Sequence, residues 1–219
     1  MIQSEPSFRT AAEKAYDIIS QKILAGELKP GCKLSRRKMA ALSGVSVIPV
    51  IEALNRLEEE GLVESKPQWG SFVIVPTAEK INDIYALREA VECQVARILT
   101  DKLTPEQAQE LRQIAAQLDG TDYSAHTSKD INQLHYDYHS KMAEYTGCNS
   151  LITTLRRINL FSILCKAVSS RREKSPIPQD WHTRLIDVIM TGDADKAEAL
   201  MRIHVRDSLA AILKKISAK

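Results

Sequence analysis

The chain has 219 residues, 44% of them apolar and 26% charged, with a formal net charge of +2, so its bulk composition is that of an ordinary folded protein and points to no particular partner. Its four cysteines (Cys32, Cys93, Cys148 and Cys165) form no CxxC pair, which argues against a zinc ribbon or a thioredoxin-type site. No stretch resembles a signal peptide and no apolar run approaches about 18 residues, so the expectation is a reduced, cytoplasmic chain with free thiols.

A first helix is expected over about 7 to 25, ending near Gly26. A short helix over about 35 to 43 follows, with Ser35 as its N-cap, and Gly44 turns the chain. The next helix starts at Ser46 and runs to about Glu60, with Pro49 in its first turn and Gly61 at C′. Its core stripe is Val50, Leu54 and Leu57, and its outward face is Val47, Ile48, Ile51, Asn55 and Arg56. Two short apolar runs, Leu62-Val63-Glu64 and Ser71 to Val75, flank the turn-rich Lys66-Pro67-Gln68-Trp69-Gly70, which predicts a β-hairpin. Helix, short helix, glycine turn, helix and hairpin make a winged helix-turn-helix, whose second helix can enter a major groove about 12 Å wide. Between Lys29 and Ile51 lie five basic residues (Lys29, Lys33, Arg36, Arg37, Lys38) and no acidic one, a local excess suited to phosphate although such a run is also common on a solvated helix face.

The dense Gly/Pro punctuation stops near Pro76 and Thr77, which predicts a domain boundary there: residues 1–76 and residues 77–219. The second part reads as six helices, at about 78–101, 104–119, 127–146, 149–171, 178–191 and 193–217, a bundle large enough to hold a cavity. Thr104 caps the second of these with Pro105 at N1. Four histidines fall on their apolar faces. His135 and His139 are four apart on a stripe with Ile131, Leu134, Tyr138 and Met142; His182 shares a face with Leu185, Ile186 and Ile189, and His204 with Ala197, Leu200 and Met201. One inward histidine is commonly a core residue bonded to a backbone carbonyl. Four, from three helices, point to a shared metal ion, because buried polar groups must find partners.

The two halves together resemble a GntR-family transcription factor of the FadR type, with an FCD effector domain. In the first half the resemblance rests on Leu24-Ala25-Gly26-Glu27-Leu28-Lys29-Pro30-Gly31, Leu34, Met39-Ala40, Gly44-Val45-Ser46, Pro49-Val50, Glu52-Ala53-Leu54, Leu57, Glu60-Gly61-Leu62-Val63, Gly70 and Phe72-Val73. In the second it rests on Tyr85, Arg88 and Glu92, on Tyr138-His139 with Gly147-Cys148-Asn149, and on His182, Gly192-Asp193, Ala197, Met201 and His204. The six-helix count is similar to the smaller VanR-like branch. The resemblance implies a homodimer that binds double-stranded DNA and a small carboxylate effector, and in many members a divalent metal.

Two departures from the family pattern stand out. The family's metal set is one Asp and three His, and here His135 occupies the Asp position, while Asp137 lies about 200° around the helix from His139 and is a poor substitute. The expected set is His135, His139, His182 and His204, four neutral ligands that favour Zn or Ni over Mg, Ca or Mn. The recognition helix normally carries two arginines; here those places hold Val47 and Ile51, which can touch a thymine methyl but cannot read guanine, so A·T pairs are expected beneath them.

The expected function is therefore a ligand-responsive DNA-binding regulator, a repressor of a carbon-source or organic-acid operon, and not an enzyme. Arg36, Arg37 and Lys38 are expected on phosphates or base edges, Ser46, Val47, Ile48, Ile51 and Asn55 on the major groove, and Trp69 with Gly70 at the wing tip. Arg88 is expected beside the metal to hold the effector carboxylate, although helix spacing equally allows it a salt bridge with Glu89 or Glu92. A metal sensor, in which the ion itself is the signal, is one alternative. A metal-dependent hydrolase is another, but no carboxylate base stands at a defined spacing from the histidines; Glu144 and Asp187 are close in sequence but unplaced.

Overall fold

The computed structural model describes residues 10–120, 128–168 and 180–217. The chain divides into two compact units between Val75 and Pro76.

In the first unit, α1 (Ala11–Leu24) opens with a capping box: the Thr10 hydroxyl accepts from the Glu13 N–H at 3.1 Å, and the Glu13 carboxylate accepts from the Thr10 N–H at 2.8 Å. The part of the expected first helix before Thr10 lies outside the described residues. The apolar stripe Ala15, Ile19 and Ile23 is buried against α3. Next come β1 (Lys33–Leu34), α2 (Arg36–Ser43) and α3 (Val47–Glu59), then β2 (Val63–Lys66) and β3 (Gly70–Val73). Gly44 closes α2 at φ +63°, a left-handed conformation that would cost a side-chain-bearing residue about 1–2 kcal/mol. Ser35 and Ser46 occupy the N-cap positions of α2 and α3 as expected, but neither side chain makes a capping hydrogen bond.

The strands form an antiparallel sheet in the order β1-β3-β2. Residue-level reading missed β1, since two residues are too short to display an alternation. The hairpin sits slightly differently from expectation: Lys66 pairs with Gly70, and the chain leaves the sheet after Val73, where the Ile74 N–H bonds the Leu62 carbonyl at 3.0 Å. The wing tip is rigid for a local reason. Pro67 fixes its own φ, Gln68 adopts φ +64°, and the Trp69 N–H closes the turn on the Lys66 carbonyl at 3.0 Å. Val50, Leu54 and Leu57 of α3 are buried as their spacing predicts.

In the second unit the described residues form α4 (Ala78–Lys102), α5 (Pro105–Asp119), α6 (Ser128–Tyr145), α7 (Asn149–Val168), α8 (Trp181–Ile189) and α9 (Ala194–Ser217). The expected residues 127, 169–171 and 178–179 of three of these helices lie outside the described set. Thr104 and Gln107 build a second capping box at the start of α5, with Pro105 at N1. The principal pairing is α4 along α9, held at its edge by Arg97 with Asp195 and Glu198, and by Arg202 and Arg206 with Glu89. Helix α6 packs on α7 and α5, and α5 packs on α8. The inward faces of α4, α6, α8 and α9 enclose the interior of this unit. Among the described residues no single helix is long and apolar enough to cross a membrane.

Leu57 is fully buried and anchors α3 in the first unit. Leu57→Ala is expected to lower the stability of that unit by about 2–5 kcal/mol, read as a reduced urea midpoint.

Candidate metal centre and DNA-reading surface

His135 and His139 lie one turn apart on α6, His182 in the first turn of α8, and His204 midway along α9. Their periodicity aims them inward, and packing brings all four together. One ligand nitrogen from each ring lies within 4.8 Å of every other. Ring centroids are 4.5 Å apart for His135 and His139, 5.2 Å for His139 and His204, and 5.4 Å for His182 and His204. His139, His182 and His204 are buried and His135 is half-buried.

The donor set fits a metal. The Nε2 atoms of His135 and His139 are 3.4 Å apart. A tetrahedron with metal–nitrogen bonds of about 2.0–2.1 Å has edges of about 3.3–3.4 Å, the same spacing. His182 Nε2 is buried without a hydrogen-bond partner among the described residues. A buried lone pair with nothing to accept from is costly, and a cation removes that cost.

Two carboxylates support these rings from outside. Glu92 Oε2 of α4 lies 2.6 Å from Nδ1 of His139, and Asp119 Oδ1, the last residue of α5, lies 2.6 Å from Nδ1 of His182. Asp119 is hydrogen-bonded to His182 Nδ1, which leaves Nε2 of that ring for the cluster, the arrangement that orients metal-bound histidines generally. Glu92 Oε2 stands opposite His139 Nδ1 at ion-pair distance, without a hydrogen bond among the described residues. Burial would raise the Glu92 pKa, but the charge of Arg88 and then of His139 outweighs it and holds the carboxyl well below its usual range, at about 2. Burial would raise Asp119 too; its hydrogen bonds from His182 and Thr183 lower it instead. Burial lowers the His139 pKa against the opposing pull of Glu92, which favours the neutral ring that a metal requires.

Arg88 is 1% exposed, and its Nε donates to Glu92 Oε1 at 2.5 Å. Its Nη1 donates to the Tyr85 hydroxyl at 3.2 Å, and that hydroxyl lies 3.2 Å from Ser208 Oγ on α9. Of the two roles weighed for Arg88, the salt bridge with Glu92 is thus present, and the guanidinium charge is already matched. Tyr138, between the paired histidines, donates to the His182 carbonyl at 3.0 Å and ties α6 to α8. Trp181 stacks on His204 with centroids 3.8 Å apart and planes 18° apart. Its indole N–H is buried without a partner among the described residues.

Asp137 is exposed, takes a hydrogen bond from Gln133 at 2.9 Å and stands apart from the cluster, as its angle on the helix requires. Glu144 and Asp187, the carboxylates considered for a hydrolase, are elsewhere. Asp187 pairs with Arg112 at the surface, and Glu144 lines a shallow 210 Å³ surface cleft between α6 and α7 with Asp137, Lys141 and Arg156. Residue reasoning missed the role of Asp119. One signal was available: an acidic residue in the last turn of a helix opposes the helix dipole, so it calls for another partner.

In the first unit, Arg36, Arg37 and Lys38 form the exposed first turn of α2. Ser46, Val47 and Asn55 are exposed on α3, Ile48 is 70% exposed and Ile51 is half-buried. Arg56 is drawn back onto the protein, its guanidinium 3.9 Å from the Tyr16 ring centroid and paired with Glu60. Trp69 is 70% exposed at the wing tip beside half-buried Gly70.

A winged helix-turn-helix unit followed by a separate helical unit is the architecture of a DNA-binding transcriptional regulator. Comparison with known proteins places it more closely. Residues 11–73 match the bacterial regulatory proteins of the gntR family, and residues 83–207 match the FCD domain. The chain is 30% identical, over 90% of its length and 83% of the relative's, to an HTH-type transcriptional regulator from an unstable DNA locus of Streptomyces ambofaciens. It is 24% identical, over 89% of its length and 86% of the relative's, to the HTH-type transcriptional repressor RspR of Escherichia coli K12. Its fold is similar to a GntR transcriptional regulator from Rhodococcus sp. RHA1, with a TM-score of 0.73 and 24% identity over 93% of this chain and 97% of that one. The Escherichia coli protein McbR/YncC gives a TM-score of 0.76 at 16% identity, over 95% and 100% of the two chains. The chain belongs to the GntR family of DNA-binding transcriptional regulators, in the FadR-type group that carries an FCD domain, and it is not an enzyme.

Arg88→Met is expected to cost about 3–5 kcal/mol, because it strands the Glu92 charge in the interior. The double variant Arg88→Met/Glu92→Gln should be more stable than Arg88→Met in chemical denaturation, since glutamine leaves no uncompensated charge in the interior.

Proposed function

We propose that this protein is a cytoplasmic, homodimeric repressor of a carbon-source or organic-acid operon, whose second domain binds a small carboxylate at a divalent metal held by His135, His139, His182 and His204. The observation that carries this reading is the convergence of those four rings within ligand distance of one another, two of them backed at Nδ1 by buried or half-buried carboxylates. Zinc or nickel suits an all-imidazole set. The bound ion would attract an anion, because four neutral ligands leave its double charge uncompensated in the first coordination sphere. Trp181 adds a buried donor beside the cluster, of the kind an effector oxygen accepts from. Arg88 contributes by holding Glu92 on His139, which keeps that ring in its ligating form. The repressor assignment is supported by the printed name of the Escherichia coli relative.

On the DNA side, Arg36, Arg37 and Lys38 would meet backbone phosphates. Three cations in the first turn of a helix work against its dipole, a cost that a phosphate at the same place reverses. Ser46, Val47, Ile48, Ile51 and Asn55 would face the major groove, with the aliphatic side chains against thymine methyls and Asn55 suited to adenine. Trp69 and Gly70 would carry the wing onto the adjacent backbone or minor groove. Two copies on one operator give two half-sites separated by about one helical turn or a multiple of it.

The same cluster supports a second reading, in which the ion itself is the signal. A gel shift of the full chain on the DNA upstream of its own gene separates the two: first chelator-treated, then with zinc or nickel, then with candidate carboxylic acids. The effector reading expects metal-loaded protein to release DNA only when an acid is added, and the sensor reading expects the metal alone to change affinity. If operator affinity is independent of both, the sensing role is wrong. Loading at 100 times the dissociation constant should also raise folding stability by about 2.7 kcal/mol. On the operator, exchanging the A·T pairs expected beneath Val47 and Ile51 for G·C should weaken binding by about 1–3 kcal/mol per position, and Val47→Arg should shift the preference back toward G·C.

A further inference from the structure

We propose that Asp119 is a positioning residue that fixes the ring tautomer of His182, so that the nitrogen facing the cluster carries a lone pair and not a proton. The inference rests on reading the four histidines as a metal centre and goes beyond it, since Asp119 touches no cluster nitrogen at Nε2. Its carboxylate receives four contacts from one short segment. Oδ1 lies 2.6 Å from His182 Nδ1 and 3.2 Å from the His182 backbone nitrogen. Oδ2 accepts from the Thr183 backbone N–H at 2.9 Å and from the Thr183 hydroxyl at 2.7 Å. An ionised carboxylate only accepts, so each of the four groups facing it must be a donor, and His182 Nδ1 must bear its hydrogen. In a neutral imidazole the other nitrogen is then the acceptor. That nitrogen, Nε2, is the buried atom left without a partner among the described residues.

The contacts to the first backbone N–H groups of α8 explain how the ring is held so well. Asp180, at the N-cap position, makes no side-chain cap. Asp119, from another helix, does that work, so one carboxylate fixes both the start of α8 and the ring that its first turn carries. The same logic recurs at His139, whose Nδ1 faces Glu92.

Asp119→Asn makes the prediction specific. The amide can donate to Nδ1, which reverses the tautomer and points an N–H at the metal position. The full chain, stripped with chelator and labelled with ¹⁵N, is examined by long-range proton–nitrogen correlation of the histidine rings. Nδ1–H is expected for His182 in the wild type, and Nε2–H, alone or mixed, in Asp119→Asn. Zinc affinity, measured by competition with a chromophoric chelator, is expected to fall about 10–100-fold in Asp119→Asn and to recover in part in Asp119→Glu. Thr183→Val removes one cap contact without touching Nδ1; it should lower the thermal midpoint yet leave tautomer and zinc affinity unchanged. An unchanged tautomer in Asp119→Asn, or an equal loss of zinc affinity in Thr183→Val, overturns the proposal. If the wild type binds neither zinc nor nickel, the metal reading fails separately, and the ring spectra still decide the tautomer.

Discussion

Everything in the second domain is organised around the desolvation of imidazole. A histidine ring has one donor and one acceptor, and both need satisfying once water is excluded. At His182 the donor side is met by a hydrogen bond to Asp119, and at His139 Nδ1 faces the Glu92 carboxylate, each 2.6 Å away. That choice leaves the acceptor side facing the common centre. The helices thus turn these rings toward a common centre, where a cation would meet their lone pairs.

The electrostatics outside the ring cluster follow from the same demand. A carboxylate buried beside His139 would be expensive by itself, and Arg88 is buried with it as a counter-charge. Arg88 in turn uses the Tyr85 hydroxyl, which lies against Ser208, so the chain of polar contacts crosses from α4 to α9. At His182, Asp119 needs no arginine because it is partly exposed and collects donors from Thr183 and the backbone of α8. These are two ways of supporting a ligand: one sealed and ion-paired, the other at the end of a helix. Both connect the cluster to helices that carry no ligand, which gives occupancy of the centre a physical route to helix position. An effector can use such a route only to the extent that it binds two arrangements with different affinity.

The DNA-reading surface shows the reverse balance. Leu42, Val47, Ile48 and Trp69 leave apolar area in water, where a monomeric domain would ordinarily place polar groups. For Val47 and Ile48 on α3, placed in the major groove as proposed, that area would have a use, since aliphatic side chains discriminate thymine by its methyl group. Arg36, Arg37 and Lys38 at the start of α2 would supply attraction that does not depend on sequence.

The sequence alone determined the elements and the inward direction of the four histidines, because both depend on neighbours three or four residues away. Capping boxes at Thr10 and Thr104, the left-handed turn at Gly44 and the spacing of His135 and His139 are local facts. Two-residue β1 escaped, since it exists only through its pairing with β3. What the tertiary structure decided was the layer behind the ligands. Asp119 meets His182 from 63 residues away, Glu92 meets His139 from another helix, and Trp181 covers a ring that α9 supplies. Such pairings are set by how helices pack, and a helix's own periodicity says which face turns inward but not which side chain waits there.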